Sequence, residues 1–457
     1  MSWTVERLPW SADPFDWFLR VRELPWPLML ESGGYEGHRY DLVAACPSVI
    51  IRTRDGSTTV TDGIETKASA LSPFECVEHE VDRRRPAQPC PLDSPFKGGA
   101  IGWFGYELGH YVEKLPPAPG VATVPDMLVA IYDSFILIDH DLRSCHLVSA
   151  PGFPATHRQQ FRNALGKPAD RPTDNFRASP LHSNFSQQDY NGAIERIRHY
   201  IHEGDCYQVN LAQRFSAEFT GDPVSLFTRL RKLHRAPFSA CLAFPDQQVL
   251  SYSPERFVRV RNGEVLTQPI KGTRPRGETP AADQALADSL RASEKDRAEN
   301  LMIVDLLRND LGRCCVPGSI TVNELFELRS FHNVHHLVRS ISGRLRDGVS
   351  AIELLQACFP GGSITGAPKI RAMEIINELE PDRREVYCGA IGYYDYEGNM
   401  DTNLAIRTMV CADNQLRFWG GGGIVADSTA ASEYQESLDK VSMFRQALSS
   451  APIEKRA

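Results

Sequence analysis

No stretch of this chain approaches the roughly 20 consecutive apolar residues that a membrane-spanning helix requires. None of its eleven cysteines stands in a CxxC pair. The first absence argues against membrane insertion. The second, in a chain of 457 residues, argues against a disulfide framework or a zinc site and reads as reduced, buried thiols. An excess of basic residues is missing too: the formal charge is -8 and the pI near 5.9. Such a surface is not built to neutralise nucleic-acid phosphates or an anionic bilayer, so neither partner is expected. Any anionic ligand must be met by a local cluster of Lys and Arg. Between Met1 and Trp10, Glu6 and Arg7 interrupt the apolar residues, unlike a signal peptide. The expected compartment is the cytoplasm.

With 42% hydrophobic and 24% charged residues, the chain has the composition of a globular protein with a large core. Two stretches interrupt its pattern: Arg84 to Pro95, with four prolines, and Gly166 to Asn184, rich in Pro, Asp, Asn and Ser. The second is the better linker, which divides the chain into an N-terminal region (1–165), a linker (166–185) and a main region (186–448). Met127 to Asp139 (MLVAIYDSFILID) has β character, Gln187 to His202 has helical periodicity, and Cys206 to Phe215 (CYQVNLAQRF) alternates like a strand. The longest helical candidate is Ala281 to Leu311, with Leu286, Leu290, Leu301, Val304 and Leu307 mostly three or four residues apart around a polar middle. Strands and helices mix without a regular βαβ rhythm, so an α+β architecture is expected.

Three constellations carry candidate chemistry. Asp296 with Glu299, and Glu433 with Glu436, each place two carboxylates on one helical face. Solvated charge explains one such pair, but two pairs on facing helices would make a site for a hard cation such as Mg²⁺. Next come two glycine-rich runs, PGGSITGAPK (Pro360 to Lys369) and FWGGGGIVADS (Phe418 to Ser428), with Lys440 downstream. Neither is a Walker or dinucleotide loop; each is either a plain turn or bulge, or a backbone cradle for a carboxylate. The third is SPERF (Ser253 to Phe257) followed by PIKGTRPRG (Pro269 to Gly277), with Glu255 and Lys271 at the ends of an expected hairpin. Both could be surface charges. Lys271, beside Ile270 and Gly272, could instead be desolvated toward the neutral amine that nucleophilic chemistry needs.

These motifs together resemble the chorismate-utilising family. GDCYQVNLAQRF, SPERF, PIKGTRPRG, AENLMIVDLLRNDL, GGSITGAPKIRAM, CGAIGYY, MDTNLAIRT and GGGIVADS occur in the family's order, strongly over Ser186 to Leu448. PLMLES (Pro27 to Ser32) and FKGGAIGWFGYELG (Phe96 to Gly109) extend the match more thinly. The resemblance implies an anthranilate-synthase-type sandwich of two packed β-sheets with outer helices. It also implies Mg²⁺ held by Glu299 and Glu436, supported by Asp296 and Glu433. Tyr393, Arg407, Lys440 and the backbone of Gly421, Gly422 and Gly423 would cradle the pyruvyl carboxylate of chorismate. His336 would lie beside the reacting ring, with His332 and His335 as surface or core residues. Ser363 stands where many relatives have a threonine that contacts substrate.

Lys271 separates the family's branches. It resembles the branch that converts chorismate and ammonia to 4-amino-4-deoxychorismate, on the route to 4-aminobenzoate and folate, whereas anthranilate-forming members have alanine there. Members that activate water use a lysine where this chain has Gln208. The implied mechanism is covalent, with Lys271 as nucleophile and Glu255 as acid. No glutaminase signature is visible, so ammonia is expected from a glutamine amidotransferase subunit or from solution. Anthranilate formation is the nearest alternative, and a non-catalytic aromatic-ligand sensor is one of another class. In anthranilate-forming relatives a segment like Leu30, Glu31 and Ser32 binds tryptophan; here it is either such a site or an ordinary strand edge.

Overall fold

The computed structural model describes residues 2–34, 39–173, 175–330 and 334–449, with backbone alone at Lys271, Thr273, 294–300, 323–326 and Val334. Among the described residues two large sheets, one of 13 strands and one of 12, stack into a sandwich. In the first sheet the order runs Thr4–Leu8, Ser144–Ser149, Ser134–Asp139, Tyr40–Ala44, Leu28–Glu31, Phe238–Ala243, Gln247–Ser253, Thr408–Ala412, Gln415–Ile424 and Gln208–Gly221. In the second, Ile270–Pro275, Val334–Arg344, Glu264–Gln268, Arg256–Arg261, Met400–Leu404, Ala390–Asp395, Gly99–Phe104, Met127–Tyr132 and Val49–Arg54 follow one another. The expected α+β sandwich is the observed architecture.

Strand periodicity builds the core. Leu42, Leu242, Val249 and Val410 enter one apolar cluster, while their neighbours Val43, Cys241, Leu250 and Met409 enter the second. A period of two sends successive side chains to opposite faces, so the first sheet is apolar on both sides. One face meets the other sheet, and the other is covered by helices such as Phe15–Val21 and Pro223–Leu233. All eleven cysteines are free and buried, as their scatter implies. No described helix is long and apolar enough to cross a membrane.

The N-terminal region is woven into both sheets: Leu28–Glu31 pairs with Phe238–Ala243, and Gly99–Phe104 with Ala390–Asp395. The stretch read as a linker also joins the sheet, because Phe176–Ala178 and His182–Ser183 pair with Gln208–Gly221. The helix expected over 281–311 is divided into Pro280–Ala292 and Glu294–Gly312. Ser293 between them is extended (φ -68°, ψ 109°), in the polar middle where no apolar stripe holds one axis. Leu301, assigned to that stripe, is 55% exposed. The hairpin between Glu255 and Lys271 is real: Arg256–Arg261 pairs with Glu264–Gln268 through Asn262-Gly263, both at positive φ.

Candidate active site

The glycine run lies on the strand Gln415–Ile424, between Gln208–Gly221 and Thr408–Ala412. The helix Ala430–Lys440 packs so closely across it that a Cβ on Gly420 would stand 2.4 Å from the Ser437 carbonyl oxygen. The glycines therefore admit a helix rather than forming a turn. Above Gly422, the point where a Cβ would sit is 3.2 Å from Glu433 Oε2 and 3.3 Å from Glu436 Oε1. Glu433 is buried and accepts a hydrogen bond from Ser428 Oγ (2.7 Å). Lys440 Nζ donates to the Gly421 carbonyl (2.8 Å) and pairs with Glu436 Oε1 (2.7 Å). Two carboxylates, a lysine and the backbone of the glycine strand thus meet in one place.

Oxygen donors of this kind suit a hard cation, and two of them converging on one glycine fit Mg²⁺. The helix Glu294–Gly312 carries Asp296 and Glu299, whose side chains lie outside the described residues. Among the described residues alone no group of three or more His, Cys, Asp or Glu forms a metal site.

Glu255 and Ser363 are brought together from distant motifs. Glu255 is buried and its Oε1 accepts a hydrogen bond from Ser363 Oγ (2.8 Å). Its own carbonyl accepts the Leu404 N–H (3.1 Å), which fixes the backbone just before the strand Arg256–Arg261. Ser363 sits in the 3₁₀ turn Gly362–Ile364, where a Cβ on Gly362 would meet Leu306 at 2.5 Å. That contact seats the turn under the helix carrying Asp296 and Glu299. Lys369, the basic residue of the same motif, bridges Asp310 Oδ2 (2.7 Å) and the Cys358 carbonyl (2.9 Å), so it holds the helix to the motif.

Lys271 has backbone opposite Leu337 in the pairing of Ile270–Pro275 with Val334–Arg344, and its side chain lies outside the described residues. On the partner strand His336 is buried; burial first, and the Arg407 guanidinium second, push its imidazole down to about 3. It is therefore neutral near pH 7. Arg407, at φ +49°, also helps burial lower His234 to about 4. His335 is buried and shares hydrogen bonds with Asp283 Oδ1 (2.9 Å) and Ser330 Oγ (2.7 Å), which makes it an anchoring residue. His332 lies outside the described residues.

Tyr393 is not brought to Arg407 and Lys440. It lies on Ala390–Asp395 with its ring edge-on to Phe96 (5.3 Å), and lines a separate cavity of about 280 Å³ between the sheets. Tyr394 lies toward the helix Pro73–Asp82, near Glu78 and Asp82, so period-two alternation turns Tyr393 to the opposite face, toward the first sheet. Leu30, Glu31 and Ser32 line the same cavity, with Arg256 and Asn399. Glu31 is held by Arg231 (Nε to Oε2, 2.9 Å), and the buried Ser32 Oγ has no partner among the described residues. Gln208, which sequence reasoning named only as the counterpart of the water-activating lysine of other members, also lines the glycine run. Its side chain crosses to the glycine strand, with Nε2 2.0 Å from the point a Gly423 Cβ would occupy. The strand alternation of Cys206 to Phe215 was the available signal.

With this geometry in view, residues 27–446 match the family of chorismate binding enzymes. The chain belongs to that family. It is 46% identical to aminodeoxychorismate synthase component 1 of Salmonella typhimurium over 447 residues, covering 96% of this chain and 97% of that one. Anthranilate synthase component 1 of Pseudomonas putida is 38% identical, with 94% of this chain and 92% of the relative covered. Among solved structures, anthranilate synthase component I from Streptococcus pneumoniae superimposes with a TM-score of 0.80 at 33% identity, covering 90% of this chain and 93% of that one.

Proposed function

We propose that this enzyme converts chorismate and ammonia to 4-amino-4-deoxychorismate. The carrying observation is the buried Glu255, whose carboxylate accepts a hydrogen bond from Ser363, in the same fold that brings the carboxylates of Glu433 and Glu436 together over Gly422. The greater identity to aminodeoxychorismate synthase component 1 than to anthranilate synthase component 1, and a lysine at 271, favour this product over 2-amino-2-deoxyisochorismate and anthranilate.

Arg407, Lys440 and the backbone of Gly421 to Gly423 receive the pyruvyl carboxylate, while Glu299, Glu436, Asp296 and Glu433 hold Mg²⁺. The ion supplies positive charge against the ring carboxylate. Lys271 Nζ attacks C2; the double bond shifts, and the C4 hydroxyl leaves as water with the proton of Glu255. Ser363 then donates to the carboxylate that forms, which stabilises charge where it develops. In the second displacement ammonia attacks C4 and returns a proton to Glu255, the double bond shifts back, and the Lys271 amine leaves C2. Two easier displacements replace one hard substitution. Neutral His336 packs beside the ring without adding charge. Ammonia comes from a glutamine amidotransferase partner, and pyruvate elimination falls to a separate lyase.

The 280 Å³ cavity at Leu30, Glu31 and Ser32 takes tryptophan as a structural ligand, since it combines an apolar wall with charged groups and a hydroxyl. Incubating the protein with chorismate, Mg²⁺ and ammonium and identifying the product by mass spectrometry tests the activity. Anthranilate formed unaided would overturn the reading.

A further inference from the structure

Part of one edge of the strand Gln208–Gly221 is closed by side chains rather than by another strand. Gln208 and Val209 pair with Ala367 and Gly366, and the Asn210 N–H reaches the Thr365 carbonyl (2.8 Å). Farther along, Arg214 exchanges hydrogen bonds with Asn184 (2.8 and 2.9 Å), and His182–Ser183 resumes the ladder. Between these, the Asn210 carbonyl and the Ala212 N–H face the gap, because residues two apart in a strand present backbone groups to the same edge. A buried polar group left unpaired there would be costly.

One ion pair meets both groups. Arg384 Nη2 donates to the Asn210 carbonyl (2.7 Å), and Glu380 Oε1 accepts from the Ala212 N–H (2.8 Å). The pair itself is bidentate, with Nε to Oε2 at 2.9 Å and Nη2 to Oε1 at 2.6 Å. Arg384 and Glu380 are only 1% and 4% exposed. The third arm of the guanidinium, Nη1, donates to the Ile364 carbonyl (3.0 Å), one residue beyond Ser363. The Tyr106 ring faces the guanidinium carbon at 4.8 Å, and the Arg384 N–H donates to Glu107 Oε1 (2.9 Å). Four of the five guanidinium N–H groups thus meet a fixed acceptor, and an aromatic ring covers one face.

We infer that Arg384 is a positioning residue for the reaction: by holding the Asn210 and Ile364 carbonyls at once, it fixes the Ser363 turn against the strand that faces the glycine run. It thereby keeps the Ser363 hydroxyl on Glu255. This rests on the proposed role of Glu255 as the proton-donating group. Only a planar fork serves here, since an ammonium on a flexible stem holds the charge but not three fixed acceptors. Glu380 acts through Arg384 and through Ala212, whose register partner is Gly421.

The test compares S363A, R384K and the double variant. R384K keeps the charge beside Glu380 and is expected to lower kcat about tenfold to a hundredfold, the range for losing a hydrogen bond to a charged group, while KM for chorismate changes far less. The double variant should be no slower than S363A alone, because both substitutions remove the same contact. A purely structural ion pair would instead lower the melting temperature and multiply with S363A. Should R384K not fold, R384M with E380Q removes both charges and leaves a carbonyl to accept from Ala212. A crystal structure of either variant with Ser363 still hydrogen-bonded to Glu255 would overturn the inference, with or without turnover. Wild-type protein that makes no 4-amino-4-deoxychorismate would overturn the activity reading instead.

Discussion

Replacing Gly422 with alanine adds one methyl group at the point where Glu433 and Glu436 converge. Its Cβ would lie 3.2 Å from Glu433 Oε2 and 3.3 Å from Glu436 Oε1, so each carboxylate must retreat by a few tenths of an ångström. No backbone atom stands among its nearest contacts and the position is not at positive φ, so the strand tolerates alanine. Magnesium demands nearly ideal ligand distances of about 2.0 to 2.1 Å, and shifts of this size matter far more to the ion than to the fold. The half-saturating Mg²⁺ concentration should rise about tenfold to a hundredfold, as when groups orienting metal ligands are disturbed. The melting temperature should move by no more than about 4 °C, because loss of unfolded-chain entropy offsets the small clash. G421A is the contrast: its Cβ would meet the Leu211 carbonyl oxygen at 2.1 Å, backbone that cannot give, and should destabilise the fold outright. Initial rates across a Mg²⁺ series, with thermal unfolding of both variants, decide the matter. A G422A enzyme with an unchanged magnesium requirement would refute the assignment of these carboxylates.

Replacing Lys271 with alanine should strongly slow aminodeoxychorismate formation and divert traces of ammonia to C2 as anthranilate; full activity with the same product would remove Lys271 as nucleophile. E299Q or E436Q should raise the Mg²⁺ concentration needed for turnover, and an unchanged dependence in both would move the metal elsewhere. Glu107 is raised to about 8 by burial first and the Glu385 carboxylate second, with Asp126 adding to it. Folding therefore takes up a proton between pH 4.5 and 8, and the stability present below that window is lost as pH rises through it, by at most about 4 to 5 kcal/mol. E107Q should stabilise the protein at pH 9 relative to pH 5, and an equal change in melting temperature at both would count against this. Millimolar tryptophan should raise the melting temperature without altering initial rates; a lowered rate would mean regulation, and no change in either would mean an ordinary core.

Local features were legible and distant contacts were not. The helix Gln187–His202 was readable from its periodicity, and Ser186 caps it. The run 127–139 read as β, but its division into two strands on different sheets depends on their separate pairing partners. Glu255 and Ser363 were each found through their motifs, yet their contact spans 108 residues and exists only once the turn is seated under Leu306. Tyr393 carried the opposite lesson. A motif match gives neighbourhood along the chain, but which face of the sheet a strand residue takes follows from alternation and pairing. Glu380 and Arg384 drew no notice in the sequence, since two charges four residues apart carry no sign of the strand edge at which the structure buries them.

The separation of the 280 Å³ cavity from Glu255 has a physical basis in one pair of strands. Arg256 and Asn403 are register partners on Arg256–Arg261 and Met400–Leu404, and both line the 280 Å³ cavity. Their immediate neighbours, Glu255 and Leu404, are joined by the hydrogen bond that fixes the backbone at the proposed acid. A ligand in the cavity therefore touches the same two strands that carry Glu255, but from one residue further along each. The Glu255 backbone is already held without such a ligand, by the Leu404 N–H and by Ser253 Oγ, which accepts the Glu255 N–H (3.2 Å). The cavity wall also includes Leu30, Glu31 and Ser32 from the N-terminal region, so its shape exists only when the two parts of the chain are assembled. A molecule that binds there favours the native state over the unfolded one and leaves the reacting groups where they stand, which makes its effect one on stability rather than on rate.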